Sequence, residues 1–201
     1  KGDAGGDVGS DDGAVAGYSE NLCVAVCRLT DAEKTCITTR DDLCALASKL
    51  CVESGVLSCV RWSGDSLLLF GDCDDPYVDD AEEIEYVSRA ALNAAIELRA
   101  FLVNYHAGKV KAQASAPPPG GWNDDVNDEC MEPQGDLAVG ISVGSAFTVR
   151  RAGALCSVDG SVRDDAARLC DLSSDVDHGG VRCDAKMYPL CKDTHTLVPP
   201  T

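Results

Sequence analysis

Ser142 stands between two glycines, Gly140-Ile-Ser142-Val-Gly144, in the G-x-S-x-G spacing of a nucleophile elbow. That device needs a strand before the serine, a helix after it, and an Asp and a His in reach. The run before Ser142 suits a strand, but the SAFTVRR that follows is strand-like as well. His178 and His195 lie downstream, in a stretch too short to build a hydrolase sheet. A glycine-flanked strand serine is therefore favoured, and a secreted hydrolase using Ser142 stands as an alternative. A second grouping, Asp171, Asp175 and Asp177 with His178 beside them, offers hard oxygen ligands for a divalent cation. A solvated turn is the commoner outcome for such a loop. The residues yield no catalytic set, no metal centre and no cofactor.

The cysteines carry more weight. There are 12 of them: Cys23, Cys27, Cys36, Cys44, Cys51, Cys59, Cys73, Cys130, Cys156, Cys170, Cys183 and Cys191. No C-x-x-C pair occurs and only three histidines are present, so zinc-ligand spacing is missing. The density points to disulfides and to an oxidising compartment. The chain begins at Lys1 without Met or a signal peptide, as expected of a mature or trimmed ectodomain. It contains no N-x-[ST] sequon and no apolar run long enough to span a bilayer. Its formal charge is −17, which repels phosphate backbones and anionic membrane surfaces and argues against nucleic-acid or lipid binding. Hydrophobic residues make up 45% but aromatics only 5%, so the core must be built from Leu, Val, Ala and Cys.

These side chains need elements to position them, and the longest is the helix expected over Asp79–Gly108. Ile84, Val87, Ala91, Ala94, Leu98, Phe101 and Tyr105 recur at helical period. Asp79 or Asp80 caps its start, Glu85 precedes Arg89 by four, and Gly108 suits a left-handed stop. Leu92, Ile96 and Val103 fall outside the seam and predict cover from several directions. Before it, Asn21–Leu29 reads as a helix carrying Cys23 and Cys27, and Asp41 or Asp42 opens a second helix carrying Cys44 and Cys51. A disulfide from Cys23 or Cys27 to Cys44 or Cys51 would staple the two. LSCVRW and SLLLFG about Ser63-Gly64-Asp65 read as a β-hairpin.

Residues 1–18 form a flexible acidic Gly-rich tail, and residues 19–108 a helical Cys-rich lobe with the hairpin and the long helix. Residues 109–121, KVKAQASAPPPGG, form a Pro/Gly linker, and residues 122–201 a small Cys-rich lobe with short strands and a helix over Asp164–Leu172. Seven cysteines precede the long helix and five follow it, so full pairing requires at least one bridge between the lobes. Cys73 and Cys130 are the candidate pair. The fold class expected is thus α+β: a disulfide-rich, bilobed ectodomain with one long central helix.

This layout resembles the insect-stage surface antigens of trypanosomes, the family of the procyclic-specific surface antigen. The resemblance rests on the acidic Cys-rich chain, the N-terminal pieces bearing Cys23, Cys27, Cys44 and Cys51, the Ala-rich helix and the proline strap, and covers most of the sequence. It implies a cell-surface ectodomain anchored by a membrane span after residue 201, with a sensing or receptor role and no catalytic residues. The function expected is extracellular and non-enzymatic: a monomer that binds an unknown ligand or protein partner in the cleft between lobes. A structural surface-coat protein without a specific ligand is the other alternative.

Overall fold

The computed structural model describes residues 14–30, 37–63, 66–72, 80–114, 136–151, 154–174 and 180–195. In chain order the elements are β1 (Ala14–Leu29), α1 (Ile37–Ser54), β2 (Leu57–Ser63), β3 (Ser66–Gly71), α2 (Asp80–Ala114), β4 (Leu137–Arg151), β5 (Ala154–Asp159), α3 (Ser161–Ser174), β6 (Gly180–Cys183) and α4 (Met187–Cys191).

The strands make one six-stranded sheet in the order β2-β3-β1-β4-β5, and β6 pairs with β4. β1 lies inside it, antiparallel to β3 on one side and to β4 on the other. Along its outer edge β4 pairs first with β6, in parallel through Ala138–Ile141, and then with β5, antiparallel through Phe147–Arg151. Strands from both ends of the chain thus share one sheet, and the bilobed architecture is corrected to a single sheet covered on two faces.

Asn21–Leu29, expected as a helix, belongs to β1. The stretch NLCVAVCRL is apolar at nearly every position because both faces of β1 are buried. Cys23, Ala25, Cys27 and Leu29 join one core cluster, and Leu22, Val24 and Val26 join the other. A strand buried on both sides shows no alternation, so its period does not separate it from a helix. The four-residue spacing of Cys23 and Cys27 is equally ambiguous, since it places both on one face of either element.

On the first face lie α1, α2 and α4. Leu43, Ala47 and Cys51 from α1, Val87, Ala91, Ala95, Leu98 and Leu102 from α2, and Met187 and Cys191 from α4 pack on Leu67, Leu69, Val139 and Ile141. α2 has 35 residues, yet it lies on one side of the sheet and not at the centre. Of the three residues outside the seam, Leu92 is buried in the same core, while Ile96 and Val103 stay 43% and 49% exposed. Glu85 and Arg89 form the expected pair at 2.6 Å. Of the 109–121 strap, α2 takes in residues up to Ala114 and the remainder lies outside the described residues, as do residues 1–13.

On the second face α3 lies along β4 with Val162, Ala166 and Cys170 buried. Gly140 makes this approach possible. A Cβ there would collide with the Ala166 carbonyl oxygen and the Cys170 amide nitrogen, both backbone atoms of α3. The Cys170 thiol donates to the Ala138 carbonyl at 3.3 Å across the same contact. No helix among the described residues is long and apolar enough to cross a membrane.

Gly140→Ala should lower the unfolding free energy by about 3 kcal/mol, the upper range for overpacking, because helix backbone cannot yield as a side chain does. Gly17→Ala, where a Cβ meets nothing within 4 Å, should leave it nearly unchanged. Urea denaturation of both variants checks the pair.

Candidate functional site

β1 and β4 lose register between Ser19 and Leu22: Ser19 faces Ala146 and Leu22 faces Gly144, so Glu20 and Asn21 oppose Ser145 alone. Such a bulge splays the pair and re-aims side chains, and bulges are over-represented beside active sites. Two clefts open there, and Glu20 and Asn21 line both.

The first cleft, about 390 Å³, is lined by Tyr18, Glu20, Asp72, Glu83, Thr148 and Arg150 among others. Arg150 is ion-paired to Asp72, which is only 9% exposed. The Thr148 hydroxyl donates to the Gly17 carbonyl at 3.3 Å, and the Tyr18 hydroxyl donates to Ser145 Oγ at 2.7 Å across the ribbon. Three carboxylates against one guanidinium make this cleft acidic. The second cleft, about 380 Å³, is lined by Ser145, Ser161, Asp165 and Lys186 together with Gly144 and Val143. Lys186 Nζ donates to the Val143 carbonyl at 3.4 Å. The Ser145 and Ser161 hydroxyls, the Asn21 amide and the Lys186 ammonium provide hydrogen bonds for a polar ligand, beside the carboxylates of Glu20 and Asp165.

The other end of β1 gathers cations already matched to carboxylates. Arg28 binds Asp171 of α3, and its Nε donates to Ser66 Oγ at 3.4 Å. Arg99 of α2 meets Asp136 at 2.7 Å, while the Asp136 amide donates to Thr30 Oγ1 at 2.8 Å. Asp171 is therefore an ion-pair partner in this structure, while Asp175 and Asp177 lie outside the described residues. Among the described residues no group of three or more His, Cys, Asp or Glu is placed to hold a metal ion.

Ser142 is not at an elbow. It sits within β4, 1% exposed, with strand on both sides, and its hydroxyl donates to Asp184 Oδ2 at 3.1 Å. Gly140 of the same motif serves the packing of α3. The hydrolase alternative is corrected accordingly. Ser142→Ala should cost about 1 kcal/mol for the lost hydrogen bond. A fluorophosphonate serine probe should leave Ser142 of the native chain unlabelled, and labelling there would reverse this assignment.

The disulfide-rich fold class is corrected as well, for the described cysteines. Cys23, Cys27, Cys51, Cys170, Cys183 and Cys191 are unbridged thiols, and no disulfide joins any two described cysteines. Cys36, Cys73 and Cys130 lie outside the described residues. Most of these thiols are packed as small apolar groups in the two cores. Burial pushes the Cys23 and Cys27 thiols well up, and neighbouring cysteines add to it: Cys183 and Cys191 for the first, Cys170 and Cys59 for the second. Burial likewise pushes Cys170 up to about 11, against the opposing pull of Arg28. Cys183 rises to about 12 through burial, with Cys191 and Asp184 adding.

Sequence reasoning missed both bulge clefts. The only local signals were the Asp159-Gly160 turn and the Gly144-Ser145 step, and neither says which strand will lie opposite. No protein-family model matches the chain, and no curated protein matches it in sequence. Its structure does match solved ones. The adenylyl cyclase CyaB from P. aeruginosa aligns over 90% of this chain and 84% of its own, with a TM-score of 0.56 and 16% identity. The fold is that of nucleotide cyclase domains. A dimeric guanylyl cyclase domain of the RhoGC fusion protein from the aquatic fungus Blastocladiella emersonii covers 89% of this chain and 86% of its own, with a TM-score of 0.55 and 17% identity. The catalytic core of a rhodopsin-guanylyl cyclase, solved in complex with ATPalphaS, covers 88% and 84%, with a TM-score of 0.54 and 15% identity.

These matches overturn the resemblance to trypanosome surface antigens, since the fold is that of nucleotide cyclase domains, and the receptor reading implied by that resemblance is corrected with it. The extracellular assignment is corrected with the resemblance that implied it, the structural matches being to nucleotide cyclase domains.

The raised thiols have a consequence at alkaline pH. Above pH 9, the ordinary thiol value, the unfolded chain releases protons that folded Cys170 and Cys183 retain. The unfolded state then binds fewer protons, so stability falls as pH rises. The contribution is fully present below pH 9 and is lost between pH 9 and about 12. The urea midpoint should drop across this window, and the drop should be shallower in the Cys170→Ala, Cys183→Ala double variant.

Proposed function

We propose that this chain is a catalytic domain that takes a purine nucleoside triphosphate and closes it to a cyclic monophosphate. The observation that carries this is the shared fold: about nine-tenths of the chain aligns with several adenylyl and guanylyl cyclase domains. In such a reaction the 3′-hydroxyl oxygen bonds to the α-phosphorus. The bond from that phosphorus to the β-phosphate oxygen breaks, pyrophosphate leaves, and the hydroxyl proton passes to base or solvent.

Electrostatics constrains how the substrate arrives. A chain of net charge −17 repels a bare triphosphate. Arg28, Arg99 and Arg150 are each paired with a carboxylate of the chain. A divalent cation would enter with the triphosphate, since Mg²⁺ is usually held by one or two carboxylates together with the substrate phosphates. The hydroxyls and amide of the bulge clefts suit the sugar and base, which need hydrogen bonds more than charge. The same pairing of the cations favours a second reading, in which the domain binds a nucleotide without turning it over.

Incubation of the full chain with Mg²⁺ or Mn²⁺ and ATP or GTP, followed by chromatography of the nucleotides, tests both. Cyclic nucleotide and pyrophosphate in equal amounts are the expected result. A folded chain that forms neither, but whose Tm rises with nucleotide, retains only the binding reading; no product and no shift removes both. The neighbouring guanylyl cyclase domains include monomeric and dimeric forms. Light scattering in the same experiment distinguishes the monomer expected here from an assembly that forms with substrate.

A further inference from the structure

β1 outruns one of its two neighbours, and the difference leaves backbone unpaired. β3 covers only Cys23–Arg28 of β1 and ends at Gly71, while β4 follows β1 from Ala14 to Leu29. Over Ala14–Ser19, β1 is therefore bonded on one side alone among the described residues. Strand backbone turns its N–H and C=O groups alternately to either side. Every second residue of this stretch thus points them away from β4, into the line a longer β3 would occupy. Such an edge is a template for another extended chain, and proteins usually blunt it with Lys, Pro or a charge. The run Ala-Val-Ala-Gly-Tyr-Ser has none of these.

The space beside that edge is the first bulge cleft, lined by Val15, Gly17 and Tyr18 of β1, by Asp72 just after β3 and by Glu83 of α2. A Cβ built on Gly17 meets nothing within 4 Å, so the room reaches the backbone itself. Val15 and Tyr18 are both 67% exposed, and Phe147, opposite Tyr18 in the register, is 50% exposed. Cross-strand partners share a face, so Tyr18 and Phe147 make an aromatic platform beside the open edge. The charge is one-sided: Glu20, Asp72 and Glu83 stand against Arg150, which Asp72 already engages. Repulsion disfavours an acidic segment there, and a second copy of a chain of net charge −17 as well. A basic extended segment gains from both the edge and the carboxylates.

We propose that the open edge of β1 at Ala14–Ser19 docks an extended, basic segment of a partner protein by β-strand addition. The segment pairs its main chain with β1, in line with β3. A segment of about six residues, roughly 20 Å of strand, matches the edge. Its side chains point alternately to the two faces of the sheet. An apolar row packs on the Tyr18–Phe147 platform, and a basic row approaches the carboxylates of the cleft. Main-chain bonds supply affinity whatever the sequence, and the two rows supply selectivity. The site is independent of nucleotide chemistry.

The test uses the full chain, without nucleotide, and the fluorescein-labelled peptide Lys-Val-Lys-Val-Lys-Val-Lys-Val, followed by anisotropy. Saturable binding that weakens with salt is expected, and none to the same peptide with Glu in place of Lys. Two further versions carry N-methyl groups, one on the valine amides and the other on the lysine amides. Only one of these sets faces β1. One version should therefore bind about tenfold weaker, the worth of roughly one net hydrogen bond, and the other like the parent. On binding, hydrogen exchange followed by NMR should slow at alternate amides of Ala14–Ser19. The proposal is overturned if no basic peptide binds, if the acidic peptide binds equally, if the two methylated versions bind alike, or if no amide of that stretch gains protection. Protection that appears on concentrating the chain alone would assign the edge to a second copy and overturn it too. Every readout uses the wild-type chain, so no variant has to fold.

Discussion

Everything in this protein hangs on β1 being an interior strand with both faces covered. It bonds to β3 on one side and to β4 on the other, and its side chains feed alternately into two cores. The layers above and below follow from that placement. α2 finds a floor in Leu69, Val139 and Ile141, and α3 finds one in Val24, Ala138 and Ala146. Interior strands hold their register because a one-residue slip would send the Cys23 set to the other face. Where that register breaks, at Glu20 and Asn21, the molecule opens its clefts.

The cores are made mostly of aliphatic side chains, with aromatics at 5% of the sequence and thiols filling part of their place. Cys23, Cys27, Cys170 and Cys191 are fully buried beside Leu, Val and Ala. A buried neutral thiol is a small apolar group with a weak donor, and its value here is shape. Cysteine content is therefore a poor guide to compartment unless the pairing geometry is known. Two sulfur atoms brought to one core need not bond.

The distribution of charge separates fold from chemistry. Sequence and structure agree that the chain is strongly acidic, and the sheet it shares with nucleotide cyclase domains imposes no particular surface charge. Arg28 and Arg99 are spent on carboxylates of the same chain, joining β1 to α3 and α2 to the segment before β4. A fold can persist while its clefts are reworked, because the apolar cores hold the layers together and the cleft residues contribute little to them.

Some of this was open to direct reading. The LSCVRW–SLLLFG hairpin, the helical period of Val87, Ala91, Ala94 and Leu98, and the helix after Gly160 are local patterns, set by interactions within a few residues. The strand identity of Asn21–Leu29 was not, since a segment buried on both faces carries no period that distinguishes strand from helix. Nor was the role of Gly140, whose missing Cβ matters only because α3 lies against it, or the pairing of Arg28 with Asp171, far away in sequence. The sequence alone determined composition, charge and the short-range elements. The tertiary structure decided which strands are neighbours, which thiols stay apart and where the clefts open, because each depends on contacts between residues distant along the chain.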